Sequence, residues 1–157
     1  MKKAVISILL VGLMGGAMVG CSSKSDINTN LSAVEIVDTL LVNDYIVAPR
    51  EVTDEEATEI YHLNLADVES YKIAETERSP GPGLIIVVKA KDGKVDEVKA
   101  SLEQVLEDMV NKAFYPDEQE AAENAEINVD GNYVSLFILN SEVQSDAYKL
   151  YNEQLGK

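Results

Sequence analysis

Leu84-Ile85-Ile86-Val87-Val88 lies between Ser79-Pro80-Gly81-Pro82-Gly83 and Lys89-Ala90-Lys91-Asp92-Gly93. Five consecutive apolar residues, four of them β-branched, are too few for a helix and suit a strand buried on both faces. The Pro/Gly run before them cannot form regular structure, and Asp92-Gly93 ends the segment. The central strand of a sheet is therefore expected over 84–88.

Working outward, 68–77 alternates around Tyr71 and Ile73 and predicts an edge strand, paired to the central one through the 79–83 turn. After Gly93 the period changes. Val95, Val98, Leu102, Val105, Leu106, Met109, Val110 and Ala113 recur every three or four residues, giving one apolar stripe on a long helix over 94–114. Tyr115-Pro116 stops it, and an acidic, polar loop is expected beyond. Ala125, Ile127 and Val129 alternate with polar residues as a second edge strand. Asp130-Gly131 signals a type I′ hairpin. Tyr133 to Leu139 follows as a second central strand, with Val134, Leu136 and Ile138 opposite Phe137 and Leu139.

Helices flank this unit. Ser32 with Glu35 and Thr53 with Glu56 form capping boxes, starting helices over 32–43 and from Thr53 to about His62. Val34, Ile36, Val37, Leu40 and Leu41 are expected inward on the first, and Ala57, Ile60 and Tyr61 on the second. Ser141 and Gln144 are expected to cap a last helix with Val143, Ala147, Leu150 and Tyr151 inward. The expected fold is α+β, a four-stranded antiparallel sheet with the two long C-terminal helices packed on one face.

The N-terminus reads differently. Met1-Lys2-Lys3 precedes 17 residues, 4–20, that lack any charge and hold four glycines. A bilayer-spanning helix needs about 20 apolar residues, so a removed signal peptide over 1–20 fits better. Met18-Val19-Gly20-Cys21 resembles the lipobox of bacterial lipoproteins, with Met18 where that pattern usually has Leu. The resemblance implies cleavage before Cys21, a diacylglycerol on its sulfur and palmitate-type acyl chains holding the protein on the membrane. Cys21 is the chain's one cysteine, and its thiolate is the natural acceptor for a transferred lipid. Residues 21–30 read as a polar tether and 31–157 as one domain.

Cleavage would leave eleven cations against 28 acids, a net charge of −17. Such a surface argues against nucleic acid and against docking on anionic lipid, and favours either a cationic partner or simply solubility outside the cell. With no second cysteine, disulfides, thiol nucleophiles and cysteine metal sites are out. Any serine hydrolase would have to use His62, the single histidine, which is expected at a helix end. The glycines at 81, 83, 93, 131 and 156 match no phosphate-binding loop. Asp117, Glu118, Glu120, Glu123 and Glu126 crowd one segment with oxygen ligands suited to a hard cation, but at no EF-hand spacing; a solvated loop is expected. No catalytic, cofactor or metal residue is assigned. Seven tyrosines against two phenylalanines suit either an amphipathic contact surface or a cover for the rim of the core, with Tyr148 off the inward stripe of the last helix and Tyr45 just past the first helix.

Together, Tyr61-His62-Leu63-Asn64-Leu65-Ala66-Asp67-Val68-Glu69, Leu84 to Gly93, Tyr115-Pro116 and Gly131-Asn132-Tyr133-Val134 resemble the small lipoproteins of Gram-positive bacteria that carry the domain of unknown function 4358. The likeness covers about residues 31–155. Gly83-Leu84 stands where an acidic residue is expected before the central strand. The resemblance implies an address and a fold and names no chemistry. The expected function is a non-enzymatic lipoprotein on the outer face of the cell membrane that binds a protein or peptide with a basic patch. The alternatives are an accessory protein binding a cation or small ligand through the 117–126 loop, and more remotely a carboxylate-based hydrolase.

Overall fold

The computed structural model describes residues 27–157. The signal peptide, Cys21 and most of the tether lie outside them. The elements run α1 (Ala33–Leu41), β1 (Pro49–Glu51), α2 (Asp54–Glu59), a 3-10 turn (Leu65–Asp67), β2 (Val68–Thr76), β3 (Leu84–Ala90), α3 (Val95–Lys112), α4 (Pro116–Glu123), β4 (Ile127–Asp130), β5 (Tyr133–Ile138) and α5 (Ser141–Gln154).

The strands form one antiparallel sheet in the order β1-β2-β3-β5-β4, with five strands rather than four. The added strand, β1, is three residues long and begins with a proline. Its ladder, Pro49↔Thr76 to Glu51↔Ala74, carries no apolar alternation, so nothing local marks it. β1 also moves β2 inward from the expected edge position. β3 lies at the centre, where Leu84 to Val88 are all buried.

Side-chain alternation divides the core in two. Ile73, Ile86, Val88, Val134 and Leu136 meet α2, α3 and α4 on one face. Ala74, Ile85, Val87, Tyr133 and Phe137 meet α1 and α5 on the other. The two long C-terminal helices therefore lie on opposite faces, against the expectation of one. β3 and β5 expose apolar side chains on both sides, so each face needs a helical cover.

Both capping boxes form, at Ser32/Glu35 and Thr53/Glu56. The last helix is capped one residue earlier than expected. Asn140 accepts from the Glu142 amide at 3.0 Å, while Gln144 accepts from the Leu139 amide at 3.2 Å. Ile60, expected inward, is 49% exposed, and Val34 is also exposed. At the β4–β5 turn Gly131 has φ +59 and Asn132 stays out of the positive-φ region. One positive φ, at the first central residue, belongs to a II′ turn rather than I′.

The segment after Tyr115 is the largest local correction. It is a helix, α4, with Pro116 at its first position and Asp117 and Glu118 in its first turn. Proline there loses no hydrogen bond, and acids there meet the positive end of the helix dipole. Ala121 and Ala122 are buried, too short an apolar signal to announce a helix among so many acids.

Candidate functional site

The structure opens at one end of the sheet, where β2 ends, β3 begins and β5 ends. Residues 79–83 form a ridge there, flanked by α3, α4 and α5. Gly83 is required by close approach. A Cβ on it would lie 2.8 Å from the Thr76 Cβ and 2.9 Å from its Cγ2. The ridge is held from both sides: the Thr76 amide donates to the Gly83 carbonyl at 2.8 Å, and the Gly81 amide donates to Glu118 Oε1 at 3.1 Å.

Three clefts border Pro82, and two of them carry the candidate site. The larger, about 390 Å³, lies between α4 and the start of α5, with Leu139, Ala121, Asn140, Gln144, Asp117 and Glu120 in its walls. The smaller, about 190 Å³, lies between the ridge and the end of α3, with Leu84, Met109, Ala113, Ala122 and Ile138 giving it an apolar lining. Glu75 and Glu118 add carboxylates to the second cleft, and Lys112 adds a cation.

Four of the five acids expected to sit on one loop lie on α4 instead, and Glu126 lies beyond its end. Among the described residues, Asp117, Glu118, Glu120 and Glu123 make no ion pair. Also among the described residues, no three His, Cys, Asp or Glu side chains gather closely enough to hold a metal ion. A helix separates successive side chains by about 100° of rotation, so Asp117 and Glu118 diverge, whereas Asp117, Glu120 and Glu123 follow one another along one side.

His62 sits just beyond α2 with φ +56, and its Nε2 lies 3.1 Å from Asp108 Oδ2. Lys112 donates to the same carboxylate at 2.9 Å. That lysine first, and then His62, hold the Asp108 carboxyl below the ordinary range. The arrangement pins the α2 end onto α3, and the ring's partner is a carboxylate rather than a hydroxyl nucleophile.

A second polar cluster ties β1, α2 and β2 together. Arg50 reaches Glu56 with two contacts, at 2.9 and 3.0 Å, and also pairs with Glu75. The buried Tyr61 donates to the other Glu75 oxygen. Burial first, then that hydrogen bond, push the Tyr61 hydroxyl up. The Arg50 hydrogen bond and the Thr53 amide bring Glu56 down to about 2. These groups are mutually satisfied and act as a brace.

Of the two tyrosines singled out from the sequence, Tyr148 stacks on Phe137 with 4.3 Å between ring centroids. Its hydroxyl donates to the Glu126 carbonyl at 2.9 Å and accepts from the Phe137 amide at 3.2 Å. Desolvation raises its pKa to about 12, and the ring belongs to the core rim. Tyr45 packs against the α1/α5 core and reaches the ridge through a cleft it shares with Pro80 and Asn140. The feature that sequence reasoning missed is Phe114. It follows the last stripe residue, Ala113, directly before the Tyr115-Pro116 stop, and is 86% exposed. An aromatic placed just past the end of an apolar stripe is the one available signal.

A single antiparallel sheet covered by helices on both faces defines a small α+β domain. A family model described as Domain of unknown function (DUF4358) matches residues 44–139, more than half of the chain, and the protein belongs to that family. The match begins after α1 and ends before α5. No curated protein and no solved structure matches the chain.

Proposed function

We propose that the protein is a lipoprotein of the Gram-positive type, anchored through acyl chains on Cys21 to the outer face of the cell membrane, and that its acidic domain binds a basic protein or peptide there. The observation carrying this reading is the uneven neutralisation of charge. Seven of the cations, Arg50, Lys72, Lys89, Lys94, Lys99, Lys112 and Lys157, are engaged by carboxylates. α4 contains no cation, and three of its four acids, Asp117, Glu118 and Glu120, border the open clefts. Acids left unneutralised at a concave end attract cationic side chains and speed their approach at low salt. Two acyl chains make attachment stable where one is marginal, and they keep the domain among envelope proteins. Among the described residues no helix is long and apolar enough to cross a membrane.

The test is affinity capture by the full chain in detergent, from envelope extracts, at about 50 mM and 500 mM salt, a span over which the screening length falls severalfold. The expected result is a specific partner with a basic surface that is lost at high salt. Absence of any salt-sensitive partner overturns the reading, and turnover of an envelope substrate by the purified chain would then favour an enzyme.

A further inference from the structure

The elbow between α3 and α4 presents an aromatic pair to solvent. Phe114 and Tyr115 meet edge to face, with ring centroids 5.2 Å apart and planes at 81°. The flanking backbone explains why Phe114 does not fold inward. Ala113, at ψ 124, and Tyr115, at ψ 146, are extended, and Pro116 starts the next helix at once. The ring is thus held out on a short extended segment between two rigid elements. Leaving a large apolar side chain in water forgoes the favourable transfer that burial would give, so a ring held there is suited to being covered by something else.

Beside this elbow lies the apolar cleft lined by Leu84, Met109, Ala113 and Ile138. Across Pro82 lies the larger cleft, with Asp117 and Glu120 in its wall. Apolar and acidic surface are therefore contiguous at one end of the sheet. We propose that this end is a docking surface for an extended peptide segment of the partner, one that places an apolar anchor residue against Phe114 and the smaller cleft and flanking lysines or arginines against Asp117, Glu118 and Glu120. The inference rests on the basic-partner reading above and gives that reading a location.

Charge complementarity selects the occupant. A second copy of this chain would bring the same acids and meet them with like charge. An anionic membrane surface would repel α4 in the same way. A cationic segment with one apolar residue satisfies both halves of the surface, and an apolar anchor ringed by charge pairs is how peptide segments gain specificity as well as affinity.

The test uses the full chain in nonionic detergent and a fluorescein-labelled nonapeptide in which lysines alternate with leucines around a central phenylalanine. Its glutamate counterpart is the control. Anisotropy is expected to show saturable binding of the lysine peptide only. Phe114→Ser is expected to weaken it at least tenfold, and so is the pair Asp117→Lys and Glu120→Lys. The charge-matched pair Asp96→Lys and Glu153→Lys, at the helix ends away from the clefts, is expected to change it less than threefold. Thermal melts matching the wild type show that each variant is folded. Equal weakening by both charge pairs, with no effect of Phe114→Ser, overturns the docking surface in favour of a diffuse field. Loss of self-association in Phe114→Ser, with peptide binding intact, overturns it in favour of a second copy. Capture of a salt-sensitive partner that is undiminished by Phe114→Ser sinks this inference alone, whereas absence of any such partner sinks the basic-partner reading itself.

Discussion

Gly83 and Thr76 approach each other so closely that a Cβ on Gly83 would lie 2.8 Å from the Thr76 Cβ, with Ile46 Cγ2 a further 3.4 Å neighbour. The contact sets the ridge between the two clefts, because Thr76 is itself held by its hydroxyl donating to the Val47 carbonyl at 2.6 Å. Gly83→Ala should force this corner apart and destabilise the fold by about 1–3 kcal/mol, the usual cost of overpacking. Gly81→Ala meets no atom within 4 Å but sits at φ +142, so its cost comes from the backbone alone. Chemical denaturation of the two variants measures both. A Gly83→Ala protein as stable as wild type would mean that the corner yields without strain.

Leu102 and Val105 lie at the middle of the α3 stripe and are buried against the sheet. Leu102→Ala should cost about 2–5 kcal/mol, combining lost transfer free energy and the cavity left behind. Glu103→Ala, one residue along on the exposed side and paired with Lys99, should cost less than about 1 kcal/mol. Equal losses in urea melts would place the stripe on the wrong face.

Glu56 titrates at about 2 in the folded protein against an ordinary value of 4.5. A lowered folded pKa means that the unfolded chain takes up protons first as pH falls. The contribution of Glu56 is therefore fully present above about pH 4.5 and is lost as pH falls through the window down to about 2. Arg50, Glu75 and Tyr61 surround it. Glu56→Gln retains a residue able to serve in a capping box but removes the charge facing Arg50. Its melting temperature should fall less steeply than that of wild type between pH 4.5 and pH 3. Parallel acid limbs in the two proteins would assign the acid sensitivity to other carboxylates.

Cys21→Ala should move the protein from the membrane fraction into the medium or leave it uncleaved, read by detergent phase partition and by the mass of the mature chain. Unchanged partition into the detergent phase would mean that something other than an acyl thioether holds the protein on the membrane.

Millimolar calcium should shift the melting temperature little, because no three carboxylates gather closely among the described residues and stabilisation grows only as RT ln(1 + [L]/Kd). A large saturable shift, abolished by Glu120→Gln with Glu123→Gln, would instead reveal a site at those carboxylates.

Much of the architecture was legible because local patterns and tertiary burial agree. The apolar run 84–88 is buried on both faces, α3 follows its stripe, and both capping boxes form as their spacing requires. The alternation in β5 correctly separates Val134, Leu136 and Ile138 from Phe137 and Leu139. The 44–139 family match agrees with the motifs at 61–69, 84–93, 115–116 and 131–134.

Other features exist only because distant segments meet. β1 is a strand because Ala74 to Thr76 offer it a ladder, and three residues headed by proline carry no period of their own. α3 and α5 take opposite faces because the doubly apolar β3 and β5 need covering twice. α4 is helical because Ala121 and Ala122 can be buried against the α3 layer; its composition alone suits a solvated loop. The candidate site belongs to this second group. The residues around Pro82 come from β2, β3, β5, α3, α4 and α5, and Phe114 is exposed because the elbow geometry turns it outward. Periodicity reports which side of an element is apolar, since that depends only on the chain's own repeat. Which element covers that side, and which side chains converge at its end, is decided by the packing of all of them at once.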